Sequence, residues 1–261
     1  MILRYLKVWW LYTVNSLQTQ FVVRWALLIF LLGKILRFSI FTFFIVLLLE
    51  NTKVLAGYTL DQTILFFLSF NLIDIVAQMV FREVYRFRSM VVSGNFDFYL
   101  SKPINPLFRS LFGGPDILDF FTLIPLIFAI VYFMDRVGEL NFLSIALYIL
   151  LILSGFLIAL SFHILVLSLA ILTQEIDHAI MVYRDFVGMG RMPIDIYREP
   201  IRGLLTFVIP VGIMSSFPTK ALLGLLSPLL ILYALIFTII LLFLSLKMWD
   251  YSVRKYSSAS S

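Results

Sequence analysis

One apolar stretch of the sequence, Phe142 to Leu172, contains a single ionisable residue, His163. As an α-helix this stretch would be about 46 Å long, at about 1.5 Å per residue. The hydrocarbon core of a bilayer is about 30 Å thick and is crossed by about 20 apolar residues. The stretch is therefore predicted to cross a membrane and to tilt or extend beyond it, with His163 as a packed side chain rather than a ligand.

The composition of the whole chain agrees with a membrane protein. Hydrophobic residues make up 62% of the 261 residues, charged residues make up 13%, and the mean hydropathy is +1.03. These values exclude an ordinary soluble globule. The net charge is +5, but the basic residues lie at the ends of apolar runs, so no nucleic-acid partner is predicted. The absence of cysteine excludes disulfides and thiolate metal sites, and no other metal site is predicted.

The apolar runs predict an all-α integral membrane protein with six transmembrane helices. Residues 1–24 are predicted to form an amphipathic helix in the membrane interface, residues 25–249 the membrane domain, and residues 250–261 a cytoplasmic tail. No cleavage site follows the N-terminal helix, so no removable signal peptide is expected. Five spans are placed at Trp25–Leu49, Thr63–Phe81, Ile117–Met134, Phe142–Leu172 and Pro228–Leu246.

The remaining span has two possible positions. One alternative keeps residues 173–200 in the cytoplasm and makes Gly203–Phe217 the fifth span, which leaves few basic residues outside. The other alternative uses Ile176–Met189 as a short polar span and folds residues 191–225 as a broken re-entrant hairpin. Run lengths and proline positions favour the second alternative.

A basic loop, residues 82–114, separates the second and third apolar runs. Because Lys and Arg accumulate on the cytoplasmic side, this loop and both termini are predicted to be cytoplasmic. The centre of the loop, Ser93 to Pro106, contains Gly, Asn and Pro residues that prevent one continuous helix. A short apolar cluster in this centre suits docking to a soluble partner and consists of Phe96, Phe98, Tyr99 and Leu100.

Several ionisable residues fall inside the predicted spans, namely Lys34, Arg37, Asp74 and His163. A charge in hydrocarbon costs about 2.5–3.5 kcal/mol on insertion scales, so each charge needs a partner, a cavity or a route to the interface. Asp74 is a candidate partner for Arg37 or Lys34, with a role in helix packing rather than in a proton relay.

The third predicted span begins with a proline and two acids. Pro115, followed by Asp116 and Asp119, is typical of a helix start, because carboxylates there complement the positive end of the helix. We prefer this interpretation to a metal site. Pro125 inside the span predicts a kinked helix within a bundle.

Six spans, an interfacial N-terminal helix and a cytoplasmic loop after the second span resemble the permease subunits of type 2 ATP-binding-cassette (ABC-2) transporters. Residues 94–103 read Gly-Asn-Phe-Asp-Phe-Tyr-Leu-Ser-Lys-Pro and are similar to the Gly-x-hydrophobic-Asp-x-x-Leu-x-basic-Pro signature of one bacterial branch. Residues 193–197 and the Tyr-Ser-Ser-Ala-Ser-Ser ending resemble the same branch. In the wider family, a glycine and then several prolines interrupt the helices after the fifth span and form an external re-entrant hairpin. The same order of residues is found here at Gly190, Pro193, Pro200 and Pro210.

The resemblance implies an export permease without catalytic residues or cofactors of its own. ATP and Mg²⁺ would bind to a separate cytoplasmic ATPase, present in two copies, and a second permease subunit would complete the pathway in the bacterial cytoplasmic membrane. The sequence lacks the P-loop pattern Gly-x-x-x-x-Gly-Lys-Ser/Thr, which agrees with a separate ATPase. The implied ATPase-coupling residues are Phe96, Asp97, Phe98, Tyr99, Leu100, Lys102, Pro103 and Arg109.

Span interiors rich in Phe, Leu and Ile favour a hydrophobic or amphipathic substrate. Two other functions stay open from sequence. A secondary transporter driven by an ion gradient would use midplane ionisable residues such as Asp74 and His163. A non-transporting membrane scaffold is the other alternative.

Overall fold

The structure is a computed structural model that describes residues 2–22, 24–116, 118–173 and 177–257. Within these ranges the chain is helical, as the sequence predicted. The α-helices in chain order are α1 (Ile2–Val22), α2 (Arg24–Thr52), α3 (Leu60–Val80), α4 (Phe87–Val92), α5 (Asp97–Leu100), α6 (Pro106–Phe112), α7 (Leu118–Arg136), α8 (Phe142–Thr173), α9 (Asp177–Gly188), α10 (Ile201–Gly203), α11 (Val211–Ser215), α12 (Phe217–Leu222) and α13 (Pro228–Lys255). Short 3₁₀ helices lie at Arg82–Arg86, Met189–Arg191 and Ile194–Ile196, and a π-helix lies at Leu204–Val208.

Among the described residues, four helices are long and apolar enough to cross a membrane: α2 over Leu28–Glu50, and α3, α8 and α13 over their full lengths. In α3, 61% of the apolar window is buried inside the protein, against 6% in α2, so α3 is a central helix and α2 a peripheral one. The predicted third span corresponds to α7, although residue 117 lies outside the described residues. The count of six spans stays a prediction.

The core of the protein is built on α8. This helix packs along α13 on one side and against α3, α11 and α12 on the other. The Ser154 and Thr238 hydroxyls are 2.7 Å apart and join α8 to α13. Ser69 of α3 lies within hydrogen-bond distance of Tyr148 at 2.9 Å and of Thr219 at 3.0 Å. These contacts satisfy hydroxyl groups that are buried inside the bundle.

Gly155 permits the close approach of α8 to its neighbours. A Cβ atom at this position would lie 2.7 Å from the Ile73 Cδ1 atom and 2.9 Å from the Met214 backbone oxygen. We expect Gly155→Ala to lower the free energy of unfolding by about 1–3 kcal/mol, because a backbone atom cannot rotate away. Gly33→Ala is the control, since nothing lies within 4 Å of its added methyl, and it should stabilise α2 by about 0.5–1 kcal/mol. Thermal unfolding in detergent measures both; equal effects would contradict the packing argument.

The bundle has two ends, which we name from the chain. The loop end carries residues 82–114, and the opposite end carries the turns between α2 and α3 and between α7 and α8. Helix α1 lies against the loop end: the Arg4 guanidinium donates to the Pro103 carbonyl at 3.1 Å, and the Ser16 hydroxyl donates to the Pro115 carbonyl at 2.7 Å. Its other side exposes large apolar side chains, among them Leu3, Leu6, Trp10 and Leu11.

The segment between α8 and α13 is broken into short pieces, which bears on both positions proposed for the fifth span. Gly203–Phe217 is not one helix, because Pro210 has no N–H to continue the helix and the backbone is extended at Ile209. Helix α9 has 12 residues and is about 18 Å long, shorter than a bilayer core. Residues 174–176, where the alternative span would start, lie outside the described residues.

Helix α13 continues past the predicted end of the last span. The sequence places the end of the last span at Leu246 and a tail from residue 250, whereas the helix continues to Lys255. Trp249, 5% exposed, lies in this continuation and packs against Phe87 and Phe96 of the loop. Residues 258–261 of the predicted tail lie outside the described residues.

Candidate functional site

Phe96 fixes the centre of the loop to the rest of the protein. Its side chain is fully buried, and its ring centroid lies 5.1 Å from that of Phe87, 5.1 Å from that of Tyr256 and 6.3 Å from that of Trp249. The last two residues lie on or beside the end of α13. Aromatic pairs at such distances add about 0.5–1.5 kcal/mol each beyond the area they bury, so the loop is firmly attached to α13.

The local sequence explains the turns of the loop. Gly94 has a φ angle of +74°, a conformation that glycine adopts without the steric cost of a Cβ atom, and it ends the turn after α4. The Asn105 side chain accepts hydrogen bonds from the backbone N–H groups of Leu107 and Phe108, and Pro106 occupies the first turn of α6. These residues make two short helices, α5 and α6, from the segment where the sequence predicted no continuous helix.

A buried carboxylate, Glu83, organises the inner side of the loop. The Arg109 Nη1 atom donates to the Glu83 Oε1 atom at 3.0 Å, and the Arg86 Nη1 atom lies 3.8 Å from Oε2. The Arg109 guanidinium also lies 4.5 Å from the ring centre of Tyr12 and 4.8 Å from that of Tyr99. Burial raises the pKa of the Tyr99 phenol above its usual value. The network thus joins α1, the start of the loop, α5 and α6.

The predicted ATPase-coupling residues face in two directions. Phe96 and Tyr99 are buried, and Arg109 is engaged by Glu83 inside the chain. The side chain of Phe98 is 63% exposed and that of Leu100 is 37% exposed. Lys102 and Pro103 are also exposed, and Asp97 is half-buried. The loop therefore presents an outward apolar surface, which we name the docking surface and define as Phe98, Leu100, Lys102 and Pro103.

Lys34 pairs with Asp119 and not with Asp74. The Lys34 ammonium donates a hydrogen bond to the Asp119 carboxylate, which joins α2 to α7. Asp74 accepts a hydrogen bond from Gln78 Nε2 at 2.7 Å within α3. The sequence interpretation of Asp119 as a helix-start residue was incomplete, because the same carboxylate also balances a charge in the neighbouring helix.

Asp74 and His163 line one small polar cavity of about 20 Å³, next to Tyr183 and Arg184. His163 is 1% exposed, and its Nδ1 atom lies 2.7 Å from the Ala159 carbonyl oxygen. Its Nε2 atom is buried and has no hydrogen-bond partner among the described residues. His163 is thus packed in the core as predicted from sequence, but the structure also brings it into the same cavity as Asp74.

At the opposite end, Asp195 holds the broken segment to the bundle. The Lys220 Nζ atom lies 2.7 Å from the Asp195 Oδ2 atom and donates to Oδ1 at 2.8 Å, and the Tyr58 hydroxyl donates to Oδ2 at 2.9 Å. Burial is the main cause that raises the pKa of Tyr58, and the nearby Asp195 carboxylate is the second. The phenol therefore keeps its proton, and stays a hydrogen-bond donor, to a higher pH than an ordinary tyrosine. Lys220 lies on α12, and Tyr58 lies two residues before the start of α3.

The predicted break residues fall in this segment. A Cβ atom at Gly190 would lie 2.7 Å from the Ser215 Oγ atom and 2.8 Å from the Val211 Cγ1 atom, so glycine permits the chain to pass close to α11. Pro193 precedes the 3₁₀ helix at Ile194–Ile196, Pro200 precedes α10, and Pro210 precedes α11. The placement of this segment as a membrane re-entrant hairpin stays a prediction.

In the comparison with protein families, the family described as ABC-2 family transporter protein matches residues 35–260. The chain belongs to this ABC-2 family. The match confirms the resemblance found from the sequence and covers the loop, the small cavity and the broken segment, while α1 lies before it. No curated protein and no solved structure matched the chain. ABC-2 family membership makes the chain a multi-pass membrane transport protein of a family that works with ABC ATPases.

Sequence reasoning missed three residues of this ABC-2 chain that join distant segments: Glu83, Asp195 and Lys220. Glu83 is the single acid among the three arginines of residues 82–88, which is the signal that could have identified it. Asp195 and Lys220 had no such signal, because nothing in the sequence relates the two positions to each other or to Tyr58.

Proposed function

We propose that the chain is the permease subunit of an ABC exporter that moves a hydrophobic or amphipathic substrate with ATP hydrolysed by a separate subunit. The observation that carries the proposal is the docking surface, which exposes Phe98 on a loop whose inner side is buried against the bundle. A large exposed aromatic side chain on a fixed element is typical of an interaction hot spot. Lys102 would meet acidic residues of the ATPase at the rim of the contact.

The attachment of the loop to the bundle supports a mechanism in which a movement of the docking surface is transmitted to the membrane helices. Phe96 connects the loop to α13, and Glu83 lies three residues after the end of α3 and is paired with Arg109 of α6. A displacement of the docking surface on ATP binding would therefore move α3 and the end of α13 with it. Such an element is a two-state device biased by the nucleotide state of its partner.

The assembly that we propose has two ATPase subunits and a second permease subunit, either a second copy or a paralogue, in the bacterial cytoplasmic membrane. Residues 82–114 and both termini would face the cytoplasm. The chain would cross the membrane six times, with α7 as one further span and the 12-residue α9 as a short polar one, and the segment from residue 191 to 225 would dip into the outer leaflet. The four long apolar helices and the ABC-2 family match support this arrangement.

The test is co-expression of the chain with the ATPase encoded beside its gene, followed by purification in mild detergent and measurement of ATP hydrolysis. Phe98→Ala should leave the chain folded and inserted but weaken the complex about tenfold or more, because it removes a hot-spot side chain. Asp97→Arg should alter hydrolysis in the complex. Phe142→Ala is the matched control, since this side chain is 89% exposed at the opposite end. Normal complex formation and transport in both loop variants would remove the proposal.

A secondary transporter is the second candidate, because Asp74 and His163 line one cavity and intramembrane ionisable groups of this kind occur in proton relays. The two mechanisms differ in their energy source. Transport that continues without ATP and stops when the proton gradient is dissipated would replace the first proposal with this one. Transport that stops without ATP and tolerates His163→Phe would exclude it.

A further inference from the structure

A second, larger cavity of about 480 Å³ lies between α2, α3 and α7. This volume is within the range of sites that bind small molecules, about 300–1,000 Å³. Most of its wall is apolar and includes Phe38, Phe67 and Leu126. Phe121 and Pro125 of α7 also line the cavity and are exposed, so the cavity opens at the surface of the bundle. An amphiphile could enter it from the side.

The same cavity is lined by three cations and two carboxylates, namely Lys34, Arg37, Arg191, Asp74 and Asp119. Lys34 is paired with Asp119, and Asp74 accepts a hydrogen bond from Gln78. When all five groups are charged, the lining carries one net positive charge. Arg37 and Arg191 are therefore the two cations of the lining that do not belong to this ion pair.

Neither arginine makes a hydrogen bond or an ion pair with another described residue. The Arg191 guanidinium lies over the ring of Phe41, 6.0 Å from the ring centre. Arg37 lies nine positions after Leu28, the start of the apolar window of α2, and is therefore about 14 Å along the span at 1.5 Å per residue. A guanidinium at such depth costs about 2.5–3.5 kcal/mol on insertion scales unless an anion, water or a polar group compensates it.

We propose that this cavity binds an amphiphile with one acidic headgroup, which Arg37 and Arg191 pair with while its apolar tail lies along the phenylalanine and leucine wall. Guanidinium groups form strong charge-assisted hydrogen bonds with phosphate and carboxylate, and one headgroup charge balances the net charge of the lining. The same chemistry is offered by a transported substrate and by a resident anionic phospholipid. The substrate version rests on the proposed function; the binding site itself does not.

Binding is tested on the purified chain alone, in detergent, by native mass spectrometry during titration with phosphatidylglycerol or phosphatidylcholine. Phosphatidylglycerol should bind one site at least about tenfold more tightly. Arg37→Gln and Arg191→Gln, which lie on separate elements, should each weaken that site about tenfold through loss of a charge-assisted contact, whereas Arg37→Lys should retain most of it. Lys247→Gln is the control, because Lys247 is an exposed cation on α13 outside the cavity.

Equal binding of the two lipids, or an equal loss in Lys247→Gln, would overturn the proposal. A third result would also overturn it: Arg37→Gln abolishes a dimer of the chain but leaves phosphatidylglycerol binding intact. The surface would then be assigned to contact with a second copy of the chain.

To decide whether the bound lipid is a transported substrate or a resident phospholipid, the complex with the ATPase is reconstituted with labelled phosphatidylglycerol. ATP-dependent transfer of the label identifies a substrate, and unchanged occupancy identifies a resident lipid. Since the binding assay contains no ATPase, its failure and the failure of the proposed function are separate results.

Discussion

Replacing Glu83 with alanine is expected to lower the free energy of unfolding by about 3–5 kcal/mol. The Glu83 side chain is 5% exposed and that of Arg109 is 23% exposed, and removal of one partner from a buried ion pair leaves the other charge uncompensated. The Arg109 guanidinium would keep its contacts with Tyr12 and Tyr99 but lose its carboxylate. We expect a lower midpoint of thermal unfolding in detergent, and weaker binding of the ATPase as the loop loses its fixed position.

Two further variants make the Glu83 prediction specific. Glu139→Ala removes an exposed carboxylate at the opposite end and should change stability by less than about 0.5 kcal/mol. The double variant Glu83→Leu with Arg109→Met removes both charges, and replacement of a buried pair by apolar residues is often neutral. It should therefore recover most of the lost stability. A single Glu83→Ala variant as stable as Glu139→Ala would show that the ion pair does not hold the loop.

Asp195→Ala is expected to release the broken segment from the opposite end of the bundle. It leaves the Lys220 ammonium, whose side chain is 15% exposed, without its carboxylate, and it removes the acceptor for Tyr58. We expect a loss of about 2–4 kcal/mol and faster amide hydrogen exchange over residues 193–208, with little change over residues 82–114. Hydrogen exchange with mass spectrometry resolves the two regions.

Asp135→Ala is the control for Asp195, because Asp135 is an exposed acid at the same end of the bundle. Asp195→Asn should have a smaller effect than Asp195→Ala, since an amide oxygen still accepts from the Tyr58 hydroxyl. Uniform acceleration of exchange over the whole chain would indicate global destabilisation rather than local release. That result would contradict the assignment of Asp195 as the residue that holds this segment.

These two clusters lie at opposite ends of the same helix. Tyr58 lies two residues before α3 and Glu83 three residues after it, so α3 is tied to the broken segment at one end and to the loop at the other. In the proposed exporter, movement of the docking surface would reach the opposite end through this one buried helix. Loss of coupling in both Glu83 and Asp195 variants, beyond their loss of stability, would support that path.

The helical fold and the breaks in the loop could be predicted from the sequence, because they depend on local properties. Long apolar runs specify helices that satisfy their own backbone hydrogen bonds in a membrane. Gly94 and Pro106 impose local backbone geometry, and the break at Pro210 follows from its missing N–H. Family membership could be predicted for a related reason, since the signature at residues 94–103 is one short contiguous stretch.

Tertiary structure decided which charges pair and which aromatic side chains are buried. Lys34 pairs with Asp119, 85 positions away, and not with Asp74, because helix packing brings α7 to that face of α2. Phe96 and Phe98 belong to the same predicted cluster, yet one is fully buried and the other 63% exposed. That difference depends on where the end of α13 lies. Local sequence sets the backbone of each segment, whereas the partner of each side chain is set by contacts between segments far apart in the chain.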